Sequence, residues 1–340
     1  MNSFSLHHRF PRKLIVSLSS VLLGVALTGQ SMAADVTLRV TLQLPLKSHL
    51  GQNMVLFEKE VEEKSGGAID VEIYDSATLY KDKEVPAAVG SGSIEMGVVS
   101  LTRYVGDVPA VDIFYQPFLF DTEAKVRSAV AKGSTVRAPL DAAIAETGST
   151  VLWWQAYGGA VLLSKEEPVK TPADMVGKKV RVFGKTLGDF VTATGGAPTL
   201  VSGSEQYLAY QRGTVDLGMT GVSGVASRKL WEVMDTITIT NHADIEFIVV
   251  VNTDFWNELS EEHKEIIAAA GLVAEADVRD RMTSIEADAY SLAEENGMTL
   301  YTPTAEEVSE WRAASEPVYE AFTEQAGDLG ATVLNAAKAL

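Results

Sequence analysis

The chain of 340 residues contains no cysteine. Disulfides, thiolate metal sites, a cysteine nucleophile and a lipidated amino terminus are therefore all excluded. Of five histidines, only His49, His242 and His263 fall after residue 33, and they are far apart. The usual His/Cys spacings of a metal site are absent. So are a P-loop, an HExxH helix and a G-x-S-x-G elbow, and the Gly-rich stretches 90–93 and 218–224 do not match a dinucleotide fingerprint. These gaps point away from an enzyme: no cofactor, no metal and no catalytic residue is expected. Basic charge is also scarce, with 28 Lys+Arg against 46 Asp+Glu and a net charge of −18. That balance argues against nucleic acid and anionic lipid surfaces as partners. A local cationic pocket for a small anion remains compatible with it.

What is present begins with a leader. His7, His8, Arg9, Arg12 and Lys13 form a basic region ahead of an apolar stretch from Leu14 to Leu27. About fourteen residues are too few to cross a bilayer comfortably. Ser31-Met32-Ala33 follows as a small-x-Ala site, so residues 1–33 read as a secretory signal peptide, with an uncleaved anchor as the rival. The expected location is the periplasm, with no membrane insertion after cleavage. Three of the basic residues and none of the acids lie in this leader, which leaves 25 against 46 and a net charge of −21.

The remainder alternates strand and helix. Val36, Leu38, Val40 and Leu42 alternate as a strand, and Leu50, Met54, Phe57 and Val61 have helical spacing up to a stop at Gly66-Gly67. Strands at 70–74 and 94–100 flank a further helix, the rhythm of a parallel sheet with crossovers. The second half repeats it. Thr171-Pro172 with Asp174 suggests a capped helix, another helix starts at Ser204, and a strand follows from Thr214. A helix from about 260 to 296 would be roughly 54 Å long if unbroken, enough to brace both halves.

Arg181 stands on a short strand among Val180, Val182 and Phe183 with no acid beside it in sequence. A cation so placed calls for an anionic ligand, the bland alternative being a solvated charge at a strand end.

Four linked motifs resemble the extracytoplasmic solute receptors of tripartite ATP-independent periplasmic (TRAP) transporters, of the C4-dicarboxylate-receptor, DctP-like, type. They are LYKDKE at 79–84, PVKTPADMVGKKVRV from Pro168, the S-E-x-Y…G-T-V-D run at 204–216, and VVVNTDFWNELSEEHKEII from Val249. The resemblance implies a periplasmic-binding-protein-like α/β fold with two discontinuous lobes and a long bridging helix. The lobes would comprise 35–157 plus 246–287, and 158–245 plus 288–340. It implies a receptor that closes on a small organic acid, commonly a carboxylate, and delivers it to the TRAP membrane permease subunits. Presentation to a sensor or chemoreceptor is the alternative.

In that family the third position of the K-V-R-V strand clamps the ligand carboxylate, which falls on Arg181. A guanidinium fork suits this task because it donates two parallel hydrogen bonds. Arg103, with Ser100 beside it, falls where some members carry a second basic contact, and Gln43 where members often reach the ligand with a polar side chain. Phe183, Tyr207 and Trp154 are aromatic pocket candidates, only one of Trp153 and Trp154 being able to face the cleft. Thr220 stands where an E-N-P segment is usual, Val161 where a cation is usual, and Gly203 where an aromatic is usual. These departures suggest a bulkier monoanion, such as a hydroxy, sugar, keto or aromatic acid or a sulfonate, rather than a C4-dicarboxylate. His242 reads as a structural hydrogen-bonding residue near the hinge.

Overall fold

The computed structural model describes residues 34–340. The expected signal peptide lies outside them.

The first half builds its sheet from β1 (Val36–Thr41), β2 (Ile69–Tyr74) and β3 (Met96–Ser100), all parallel with β1 in the middle. Between the first two runs α1 (His49–Ser65), whose Ser48 side chain accepts from the Gly51 amide at 3.1 Å. Its apolar stripe, Leu50, Met54, Phe57 and Val61, is fully buried against the sheet. It stops where Gly66 takes φ 62°, a left-handed conformation that costs glycine little. The short α2 (Val85–Gly90) leads into β3, and 3-10 turns at Leu101–Tyr104 and Pro109–Tyr115 follow it. Next come α3 (Glu123–Val130), α4 (Arg137–Ala145) and β4 (Ser149–Ser164), a strand of 16 residues.

The second half runs β5 (Lys179–Val182), α5 (Lys185–Ala193), β6 (Ala197–Leu200), α6 (Gln206–Gln211), β7 (Leu217–Gly221), α7 (Val222–Arg228) and β8 (Thr236–Thr238). The chain closes with β9 (Asp244–Asn252), α8 (Thr253–Glu258), α9 (Glu261–Glu295), β10 (Thr299–Tyr301), α10 (Ala305–Ala314) and α11 (Glu316–Lys338). The main path of strands is β2-β1-β3-β9-β4-β7-β5-β6.

Two local expectations need correction. The capping box at Thr171 and Asp174 forms, yet it caps only a four-residue 3-10 turn, Pro172–Met175, because Val176 already leaves helical geometry. β6 went unanticipated: it is a mostly exposed edge strand containing Pro198, so no core-facing alternation marks it.

β4 belongs to both halves. Its residues 149–159 pair antiparallel with β9, and 160–163 pair with β7. The ladder to β9 slips between Ala156 and Gly158, so Tyr157 is the extra residue of a bulge, and Gly158 takes φ 92°. Behind these strands α9 runs unbroken for 35 residues, about 52 Å. Its Gly271 lies so close to Trp153 that a Cβ would sit 2.9 Å from the indole. Its Arg279 donates from Nη1 and Nη2 to the buried Glu246 of β9, at 2.6 and 2.8 Å. α11 packs on the 3-10 turn at 109–115 and on α5, so the final helix also touches both halves.

Candidate ligand-binding site

The two halves meet over one small cavity. Twelve residues line it, among them six of those singled out from sequence: Gln43, Ser100, Arg103, Arg181, Phe183 and Thr220.

Arg181 reaches it by strand alternation. Val180 and Val182 point into the core of the second half, which turns the residue between them the other way. The side chain is 3 % exposed. Nε donates to the Val201 carbonyl at 3.1 Å and Nη1 to the Met219 carbonyl at 2.5 Å, while Phe183 lies 5.1 Å from the guanidinium. Among the described residues no carboxylate pairs with it. Burial lowers its pKa to about 10, so the group stays charged at neutral pH.

The first half contributes a neutralised pair. Asp82 accepts from Arg103 Nε, from the Ser100 hydroxyl at 2.7 Å and from the Ser100 amide at 2.9 Å. The Ser100 hydroxyl and amide and Arg103 Nε are thus committed to a buried acid, whereas Arg103 Nη1 and Nη2 make no hydrogen bond to a described residue. Gln43 is buried beside them, and its Oε1 finds no hydrogen-bond partner among the described residues.

Arg228, at the end of α7, escaped the sequence reading. Its Nη1 donates to the Tyr157 hydroxyl at 3.0 Å, and no acid lies within ion-pair distance of it among the described residues. Two glycines make its space. A Cβ on Gly203 would stand 2.6 Å from Arg228 Nη2 and 3.0 Å from Gln43 Oε1; one on Gly224 would stand 2.7 Å from Nη1. The room left by the missing aromatic at Gly203 is therefore filled by a guanidinium. Val161, where a cation was looked for, is fully buried opposite Thr220 in the β4–β7 ladder.

Two candidates lie elsewhere. Trp154 is fully buried in the first half, with Arg137 5.5 Å from its ring and its Nε1 donating to Asp141 at 2.8 Å. Trp153, its neighbour, faces the other way onto Phe57. Both faces of this sheet are covered, so opposite orientation left neither indole in the cleft. Tyr207 sits on the outer side of α6 and donates to Glu232 at 2.7 Å, whereas Gln206 and Tyr210 turn inward. His49 packs behind Tyr157 at 5.2 Å, with Nε2 3.2 Å from the Ala156 carbonyl. His242 is fully buried, Nδ1 lying 2.7 Å from the Thr240 hydroxyl.

The family model for bacterial extracellular solute-binding protein, family 7 (DctP), matches residues 42–326. The chain belongs to this family. A C4-dicarboxylate-binding periplasmic protein DctP of Rhodobacter capsulatus is 28% identical over 323 residues, 93% of this chain and 94% of that protein. A TRAP periplasmic solute-binding protein of Sulfurospirillum deleyianum, solved with bound succinate, matches with a TM-score of 0.84 at 25% identity, over 90% of this chain and 99% of that one. A Roseobacter denitrificans counterpart with bound β-D-glucuronate matches with a TM-score of 0.83 at 26% identity, over 89% and 99% of the two chains.

The fold of this family 7 receptor is thus the two-lobed α/β arrangement with its long bridging helix. The cavity between the lobes measures about 20 Å³, room for about one water molecule. Direct ties cross between the lobes around it. Asp112 of the first lobe accepts from the Thr186 amide in the first turn of α5 at 3.1 Å, and Lys81 meets Glu205 across the mouth at 2.8 Å. Of the three guanidinium groups lining the receptor's cavity, only Arg103 is matched by a lining carboxylate, Asp82. The site is left with an excess of two positive charges.

Proposed function

We propose that this receptor captures a compact organic acid with two anionic groups in the periplasm and hands it to the membrane permease subunits of a TRAP transporter. The observation that carries the reading is the pair Arg181 and Arg228, two guanidinium groups over one cavity without carboxylate partners among the described residues. Arg181 holds one carboxylate, and Arg228, steadied by Tyr157, meets the second. This replaces the bulky monoanion expected from Val161 and Gly203, because the missing cation enters from α7. The DctP relative named for C4-dicarboxylates and the succinate-bound neighbour support it; the glucuronate-bound neighbour represents the competing single-carboxylate mode.

The two bound charges would be buried on closure, where each charge-assisted hydrogen bond contributes roughly 1.5–3 kcal/mol. A micromolar receptor needs about −8 kcal/mol in all. Calorimetric titration of the mature protein with succinate, butyrate and glucuronate tests the assignment, together with Arg181→Ala and Arg228→Ala. Succinate binds best to the wild type, Arg181→Ala loses acid binding altogether, and Arg228→Ala loses the advantage of succinate over butyrate. An Arg228→Ala receptor that keeps that advantage overturns the dianion reading. Delivery is tested by succinate uptake into vesicles containing the permease, which should require the receptor.

A further inference from the structure

Gln43 lies just past the carboxyl end of β1, and its side chain is buried, 6 % exposed. Its Oε1 has no hydrogen-bond partner among the described residues. Among those residues it is the only buried, unpartnered side-chain atom that belongs to the lining of the cavity between the lobes. An amide oxygen so placed has given up water and gained nothing in return, which is costly.

The polar groups around it are of the opposite kind. Arg103, Arg181 and Arg228 line the same cavity and can only donate. Asp82 has both oxygens occupied, Oδ1 by the Ser100 amide and Oδ2 by the Ser100 hydroxyl and Arg103 Nε. The Tyr157 hydroxyl accepts from Arg228. The lining thus offers donors in excess and a single acceptor in need of a proton. A plain dicarboxylate only accepts at neutral pH, so it satisfies the guanidinium groups and strands Gln43 Oε1. The cavity of about 20 Å³ has room for about one water molecule, and a solute that takes this space must bring the donor itself.

The place of that donor on the solute follows from Gly203. A Cβ there would stand 3.0 Å from Gln43 Oε1 and 2.6 Å from Arg228 Nη2, so one point lies within 3.0 Å of both atoms and they border one small space. A carboxylate oxygen on Nη2 therefore brings the substituent of its neighbouring carbon beside Oε1, each contact spanning about 2.8 Å. The chemistry of the donor follows from charge. Three guanidinium groups face one lining carboxylate, so an ammonium beside Arg228 would be repelled, whereas a hydroxyl is neutral. A keto group or a bare methylene carries no proton to give.

We propose that the solute is a 2-hydroxy dicarboxylic acid, its carboxylates on Arg228 and Arg181 and its hydroxyl donating to Gln43 Oε1. This rests on the dianion reading above and narrows it. Gln43 selects the hydroxylated acid, because the analogue without the hydroxyl leaves a buried acceptor unpaired.

Calorimetric titration of the mature protein with both enantiomers of malate, and with succinate, butyrate, aspartate, lactate and propionate, tests the assignment in the wild type and in Gln43→Leu. The better-bound enantiomer of malate should bind the wild type about ten- to a hundredfold more tightly than succinate, and more tightly than aspartate. In Gln43→Leu the ratio of malate to succinate affinity should fall toward one, since neither acid then strands an acceptor. Gln43→Asn, which withdraws the oxygen by one methylene, gives the same readout if the leucine variant fails to fold. A wild type that prefers succinate to butyrate but binds malate no better than succinate overturns the hydroxyl reading and leaves the dianion reading standing. Lactate preferred to propionate through Gln43, without any advantage of succinate over butyrate, overturns the two-carboxylate part alone. A malate preference that survives in both variants, or aspartate bound as tightly as malate, overturns Gln43 Oε1 as the acceptor of a hydroxyl. A wild type that binds none of these acids overturns both readings.

Discussion

Arg228 Nη1 donates to the Tyr157 hydroxyl at 3.0 Å, and this contact joins the end of a second-lobe helix to the bulge in the strand both lobes share. The guanidinium can lie there only because positions 203 and 224 carry no side chain.

Gly203→Ala should therefore disable the cation without touching it. The new methyl group would meet the mobile end of Arg228, which can swing aside, so folding should persist. Succinate affinity should fall about ten- to a hundredfold, matching the loss of one charge-assisted contact of roughly 1.5–3 kcal/mol. Calorimetry checks it; unchanged affinity would remove Arg228 from the site.

Asp112→Ala should loosen closure. The Asp112 carboxylate accepts from the first turn of α5 across the lobe boundary, and losing such a cap costs about 1 kcal/mol. Because the contact exists only when the lobes are shut, affinity should drop about fivefold, mostly through faster ligand dissociation. Stopped-flow dissociation with unchanged off-rates would count against a closing role.

Trp154→Phe should separate packing from binding. The indole donates to Asp141, and its removal leaves a mostly buried acceptor short of one partner at a cost of about 1–3 kcal/mol. Denaturant unfolding should show that loss while ligand affinity stays at the wild-type value. An affinity loss larger than the stability loss would return the indole to the cleft.

His242→Gln should flatten the acid limb of the stability curve. Burial lowers the folded pKa of His242 to about 3, whereas the unfolded chain takes up the proton near 6.5. The unfolded state thus binds more protons between those values, and stability falls as pH drops below about 6.5. The slope from this one group approaches about 1.4 kcal/mol per pH unit. Urea midpoints at pH 7 and pH 4.5 should converge in the variant relative to the wild type. An equal decline in both proteins would mean that His242 is not buried uncharged.

Much of this was legible in the sequence, and the residues show why. Arg181 declared itself because strand alternation puts a lone cation between two core valines. α9 declared itself by its length; the structure adds the cap, Ser260 accepting from the His263 amide at 3.1 Å. Arg228 gave no such sign. In SGVASRKL it looks like any helix-end charge, and only the approach of Gly203 and Gly224 from other elements turns it inward. The two tryptophans mislead for a related reason: alternation states that they face opposite ways, but not that α1, α9 and α4 cover both faces. Tyr207 and Tyr210 lie on one short helix, and the hydroxyl 1.8 Å from where a Gly218 Cβ would be marks the buried one.

Tyr157 is at once the residue that slips the β4–β9 register and the residue that steadies Arg228. On the function proposed above, the bulge of the shared strand and the support of a solute-binding cation therefore fall on one residue, and a substitution there would disturb both. New solute preferences in this lineage should accumulate at Gly203, Thr220 and Gly224, where the lining can change while that residue is left alone.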